Sequence, residues 1–431
     1  MSDKRELGFW TCLALVVGNL IGSGVYLLPA NLAPLGPNAL LGWIVTIAGA
    51  MCLAFVFARL SARLPLAGGP YAFVNAAFGP VAGFAVAWSY WVMLWSGNAA
   101  VAVAAVSALS LAFPALQAPL PAAATALAIS WSLILVNIRG VGLAGMVQLV
   151  TSVLKLIPLA GVVLLGAWIL LRDGTAAVQP MAAVPVSAGG IAAAAALVFW
   201  GFLGLESATV PADKVEDAGH VVPRTTLLGT MATGVIYLAI AAAVGLLMPW
   251  QVTGASPAPL AEFLGRELGS GTAQVIALFA AISAIGTLNG FTLVTGEMPW
   301  AMAKGGVFPA WFAGETAQGT PARAHLLSGA LATCVLLLNY TGGSATQLFA
   351  DVATISLAAG MVAYFASALA AIRLLPGDRT LTLLSLVSVV FVLWMIWGLG
   401  TRACLWGIGL IALGLPVYFW VRHGTSTADP A

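Results

Sequence analysis

Charge is what this sequence is short of. Only 7% of its 431 residues are Asp, Glu, Lys or Arg, against 61% that are hydrophobic; soluble domains carry roughly 25% charge. No soluble domain fits such a composition, and the solvent for most of the chain is lipid. A net charge of +2, scattered along the chain, argues against nucleic acid as a partner. Cysteine is scarce too. Cys12, Cys52, Cys334 and Cys404 all sit in apolar runs with no CxxC spacing, which reads as buried free thiols rather than disulfides or a metal site. The three histidines, His220, His325 and His423, fall in expected loops, and there is no P-loop, HExxH or Cys/His cluster. No metal or cofactor is expected, and an enzyme is disfavoured. A channel is disfavoured as well, because no ring-forming repeat or filter loop is visible. The charged start MSDKRELGFW leads directly into an apolar run with no small-residue cleavage site after it, so the first helix is expected to be retained.

Long apolar runs are what the sequence has instead. A membrane span needs about twenty apolar residues, and twelve segments qualify: 9–33, 38–62, 80–112, 120–138, 142–171, 189–212, 224–249, 272–303, 324–340, 347–372, 381–399 and 402–421. The expected fold class is therefore an all-α integral membrane protein of about twelve transmembrane helices, forming one domain over 1–431. Gly68-Gly69-Pro70 followed by YAFVNAAFG, and the stretch 259–268, read as short interfacial helices. Basic residues set the orientation. With the N-terminus inside, twelve of the sixteen (Lys4, Arg5, Arg59, Arg63, Arg139, Lys214, Arg224, Lys304, Arg323, Arg373, Arg379, Arg422) are cytoplasmic. Arg172, Arg266 and Arg402 are outside, and Lys155 lies within a span. Both termini are thus expected in the cytoplasm.

Two of these spans are interrupted. The first carries GNLIGSGVYLLPANLA over 18–33, with Gly22-Ser23-Gly24 halfway along it. Two glycines there weaken a helix by roughly 1 kcal/mol each relative to alanine. The sixth carries GGIAAAAALVFWGFLGLESATVP over 189–211, cut at Gly201-Phe202-Leu203-Gly204 and followed at once by Glu206. In hydrocarbon, broken helices are tolerated only where the freed backbone finds partners or lines a cavity. Small residues also serve close helix packing. Breaks at matching positions of two halves, however, point to a transporter's binding site. Spans 1 and 6 are the first of each half if the chain is a five-plus-five repeat.

Intramembrane charge costs about 2.5–3.5 kcal/mol on insertion scales, so Lys155, Glu206 and Glu297 stand out. Glu206 could couple protons or substrate charge to a conformational change. Lys155 reads equally as a tether for the broken helices. Glu297 reads as a partner for Lys304 or another basic loop residue, and Asp351 as an interfacial group. Tyr26, Trp88, Trp91, Trp95, Trp200, Phe202, Phe291 and Tyr364 lie near the breaks; most tryptophans of membrane proteins are interface anchors. Trp200 and Phe202 flank an unwound segment, where an aromatic face could hold a cation or act as a gate. Asn98 needs a hydrogen-bond partner within span 3.

The span 1 and span 6 motifs, AGGPYAFVNAAFGP before span 3 and EMPWAMAKGGVFP after span 8 resemble the amino acid–polyamine–organocation superfamily, in particular its basic amino acid/polyamine antiporter branch. The resemblance covers about residues 8 to 420. It implies a five-plus-five inverted repeat (8–172 and 189–372), two additional helices (381–421), discontinuous helices 1 and 6, a bacterial inner membrane location and often a homodimer. The implied activity is secondary active exchange of an amino acid for its decarboxylated amine by alternating access; proton-coupled, sodium-independent uptake is the alternative. The resemblance further implies that Asn19, Ile21, Gly22, Ser23 and Gly24 receive the substrate's carboxylate and amino groups. Trp200, Leu203 and Gly204 match substrate contacts in span 6. Asn98, Thr354 and Phe291 match contacts to its distal part, Glu206 matches the carboxylate linked to pH response, and Tyr364 matches a gate tyrosine. Phe291 departs from the tryptophan of arginine/agmatine antiporters, which weakens a cation–π contact. Lys155 departs from an apolar position, and elsewhere in the superfamily a lysine there stands in for sodium.

Overall fold

A backbone in lipid must satisfy its own N–H and C=O groups, which helices do within one segment, and this sequence takes that route throughout. The computed structural model describes residues 6–22, 24–256, 258–269, 271–341, 345–399 and 401–426, with side chains described except at 341, 345–355, 402, 403 and 422–426. Among the described residues no strand forms; one isolated bridge pairs Leu7 with Val215. The α-helices in chain order are α1 (Phe9–Leu20), α2 (Gly24–Leu32), α3 (Pro37–Arg63), α4 (Pro70–Phe78), α5 (Pro80–Ala112), α6 (Pro119–Arg139), α7 (Val141–Asp173) and α8 (Ala188–Phe199). They continue as α9 (Ala218–Leu247), α10 (Trp250–Ala255), α11 (Pro259–Leu268), α12 (Thr272–Lys304), α13 (Ala322–Thr341), α14 (Ala345–Leu374), α15 (Arg379–Leu399) and α16 (Thr401–Ser426).

Twelve segments among the described residues are long and apolar enough to cross a membrane. Proline opens α3, α4, α5, α6 and α11, where its missing N–H costs nothing and its fixed φ suits a first turn. Basic residues close α3, α6, α12 and α14, namely Arg63, Arg139, Lys304 and Arg373, next to carbonyls that the helix dipole makes negative. The short helices expected after Gly69 and over 259–268 are α4 and α11.

The packing places the breaks at the centre. α3 lies along α9, α5 along α12 and α6 along α13, while α1 is held between α9, α7 and α12. α15 packs on α3 and α14, and α16 on α5 and α14, outside this assembly. Sequence reading put all three histidines in loops, and the structure corrects this. His220 lies in the first turn of α9, His325 is buried in α13, and residue 423 belongs to the backbone of α16. At 220 and 423 the helices run beyond their apolar stretches into polar sequence, which hydropathy alone does not mark; His325 falls just inside the apolar stretch 324–340.

Candidate functional site

The first break lies between α1 and α2. The Ile21 N–H still reaches the Val17 carbonyl (2.8 Å), and the Gly22 N–H turns back to Leu20 (3.0 Å). The carbonyls released by the interruption are received by side chains from three other helices. Lys155 of α7, with no exposed surface, donates its Nζ to the Gly18 carbonyl at 2.8 Å, the Ile21 carbonyl at 2.7 Å and Thr287 Oγ1 at 3.2 Å. Those three acceptors match the three donors of an ammonium. Ser283 and Thr287, one turn apart on α12, also approach the carbonyls of Ile21 (3.2 and 3.1 Å), and Tyr237 of α9 donates to Leu20 (2.6 Å). A buried acceptor left unpaired costs about 1–3 kcal/mol, so the unwound segment persists because these groups meet it. Ser23 lies outside the described residues, as does the side chain of Thr354.

The second break follows α8. A single 3-10 turn, Trp200–Phe202, leads to Gly204, whose φ of +101° suits glycine alone. A Cβ at Gly204 would stand 3.0 Å from Asn19, 3.1 Å from Phe291 and 3.1 Å from Ser207, so close approach demands glycine as well. Asn19 donates to Ser207 Oγ (2.7 Å), tying one break to the other. Glu206 is completely buried, and each of its oxygens accepts from a phenol, Tyr90 at 2.5 Å and Tyr364 at 2.6 Å. Tyr364 in turn accepts from the Gly204 N–H (3.2 Å). The carboxylate is thus locked between α5, α14 and the unwound segment.

Between the breaks lies a cavity of about 40 Å³, lined by Asn19, Gly22, Gly24, Trp200, Leu203 and Phe291 among others. By that measure a single water needs about 10–15 Å³, so this space holds a few waters and is small for an amino acid. A larger vestibule of about 820 Å³ lies beyond it, with Tyr26 and Leu27 of α2 in its wall together with residues of α5, α11 and α12. The half-helix α2 therefore runs from the cavity, at Gly24, into the vestibule. Ile21, Gly204 and Asn98 are not on the cavity wall. Asn98 instead donates to Thr295 (3.1 Å), while its neighbour Gly97 reaches the cavity. Phe202 also turns away, its ring edge-on to Tyr237 at 5.7 Å. Two buried acceptors, Asn19 Oδ1 and Asn98 Oδ1, have no partner among the described residues.

Sequence reasoning passed over Ser283, Thr287, Tyr90, Tyr237 and Ser207. The i, i+4 spacing of Ser283 and Thr287 on one face of an apolar helix was a usable signal; the two tyrosines and Ser207 offered none. At the end of the bundle where the chain begins, Glu297 pairs with Lys214 at 2.5 Å. The partner is a basic residue of the connection after the second break, and not Lys304, which rests over the Trp300 ring at 5.5 Å.

A family model described as amino acid permease matches residues 7–419. The chain is 34% identical over 377 residues to a cadaverine/lysine antiporter of Escherichia coli strain K12, an alignment covering 86% of this chain and 84% of the relative. It is 30% identical over 336 residues to an arginine/ornithine antiporter of Pseudomonas aeruginosa, covering 76% and 69%. A putative arginine/ornithine antiporter of Bacillus subtilis aligns over 98% of both chains at 26% identity.

Proposed function

The chain belongs to the amino acid permease family, and from that premise we propose that it exchanges an amino acid for an amine across a bacterial inner membrane by alternating access. The observation that carries the reading is the pair of unwound segments facing one cavity and tied together through Asn19 and Ser207. Discontinuous helices of this kind form the mid-membrane site of many transporter folds. The relatives' printed substrates, lysine with cadaverine and arginine with ornithine, supply the substrate class: basic amino acids and the corresponding amines.

Within this reading the substrate carboxylate sits at the N-terminus of α2, which begins at Gly24, where a helix's first N–H groups and its dipole favour an anion, and Ser23 is a further proposed contact. Trp200 and Phe291 offer aromatic faces to a cationic side chain. Glu206 has both oxygens occupied by tyrosines, so it acts on the conformational change rather than as the direct counter-ion. Lys155 holds the Gly18 and Ile21 carbonyls that a bound cation would otherwise engage, which favours sodium-independent transport. A proton-coupled permease is the second reading, favoured by the same two buried ionisable groups. The five-plus-five inverted repeat is part of the proposal; the contacts α3 with α9, α5 with α12 and α6 with α13 pair spans 2, 3 and 4 each with the span five places later. Cytoplasmic termini and a homodimer belong to it too.

A binding test separates this class from others. A ligand that binds only the folded state stabilises it by about 2.7 kcal/mol at a hundred times its Kd. Lysine, arginine and cadaverine should each raise the melting temperature of the detergent-purified protein in a saturable way, and glutamate should not. Stabilisation by glutamate alone would contradict the substrate class.

A further inference from the structure

One short extended segment leads into the first span and is unexplained by membrane spanning. Residues 6–8 run into α1, the first half of the broken span, and they are fastened to two other elements. The Leu7 N–H donates to the Lys214 carbonyl (3.1 Å), and the Glu216 N–H donates to the Leu7 carbonyl (3.0 Å). These bonds join the foot of the first broken span to the connection that follows the second. Glu6 accepts the backbone N–H of Gly142 at 2.9 Å, in the first turn of α7, where a helix dipole favours a carboxylate. The Leu7 side chain is 1% exposed and lies over Gly145 of α7, where a Cβ would crowd it at 3.3 Å. Beside the same connection, Lys214 is held by Glu297 of α12 at 2.5 Å.

We propose that residues 6–8 are a latch that holds the chain-start end of the carrier closed, and that its release accompanies opening of the site to that side. The inference rests on the alternating-access reading given above. Its mechanical basis is local. α1 cannot swing away from α7 and from the connection after the second break without parting two backbone hydrogen bonds and the Glu6 contact. Those groups are outside the regular helix ladders, so they can part without unwinding a helix. Cys12 provides a built-in reporter: it lies one turn into α1, has no exposed surface and directs its thiol toward the Leu7 carbonyl at 4.0 Å.

The test uses the full chain in proteoliposomes with Cys52, Cys334 and Cys404 replaced by serine, so that Cys12 is the single thiol. Its rate of modification by N-ethylmaleimide is measured without substrate. Leu7→Pro removes the donor to Lys214, and Glu6→Gln weakens the contact to α7. Each should speed Cys12 modification, the first roughly tenfold, the factor carried by one net hydrogen bond. An unchanged rate in Leu7→Pro overturns the latch. Should that variant fail to fold, a second arm decides: in a chain lacking native cysteines, a Leu7→Cys/Val215→Cys pair is oxidised. The cross-linked protein should stop exchanging lysine for cadaverine and resume on reduction. Continued exchange with the cross-link formed overturns the latch. Lack of exchange by the reduced parent counts against the carrier reading alone, and the Cys12 rates still decide the latch.

Discussion

Lys155 illustrates how a single side chain can be read in two ways until its partners are known. Its ammonium meets the Gly18 and Ile21 carbonyls and Thr287, so it tethers the break, and in the proposed function it also takes a cation's place. Lys155→Ala removes the ammonium and leaves the Gly18 and Ile21 carbonyls only the Thr287 and Ser283 hydroxyls; each buried acceptor left short costs about 1–3 kcal/mol. Exchange by that variant should fall strongly, and wild-type exchange should be unchanged when choline replaces sodium; sodium-stimulated transport would show that the lysine is no cation surrogate. Glu206 allows a gentler test. Glu206→Gln keeps the shape but offers one acceptor where the carboxylate offers two, so Tyr90 and Tyr364 cannot both donate as they do now. The pH dependence of exchange should flatten while binding is largely kept, and an unaltered pH profile would make Glu206 structural. Both residues were legible in the sequence because charge is so rare in it. Tyr90, Tyr237 and Ser207 were not, since hydroxyls are common in apolar helices and only the tertiary arrangement reveals which of them meet the broken helices; Ser283 and Thr287 left only their i, i+4 spacing as a sign.

At the scale of elements, span lengths and both interruptions could be read because lipid imposes a length and glycine breaks a helix. Pro80–Ala112 and Pro259–Leu268 coincide with the stretches read from the sequence. Ends that run into polar residues did not, as α9 shows: it begins at Ala218, ahead of the apolar run from 224, and carries His220 in its first turn. The turn of Phe202 toward Tyr237, and of Trp200 toward the cavity, depends on the exact φ and ψ of an unwound segment, which periodicity cannot supply. Gly24 tests the element most cleanly. A Cβ there would stand 3.4 Å from Trp200, an ordinary contact, whereas a leucine side chain reaches into the small cavity. Gly24→Leu should insert and fold normally yet lose the stabilisation by lysine and cadaverine; unchanged affinity would move the site away from α2.

For the whole molecule, broken helices, a narrow cavity and a wide vestibule are the features on which the proposed exchange rests. In that proposal the site is reached from one side at a time and returns only when loaded, so it exchanges rather than accumulates. The direct measurement is trans-stimulation in proteoliposomes. Uptake of radiolabelled lysine should be rapid into vesicles preloaded with cadaverine or lysine and close to background into empty ones, with and without a sodium gradient. Equal uptake into empty and loaded vesicles, or uptake into empty vesicles driven by an imposed proton gradient, would contradict the exchange mechanism.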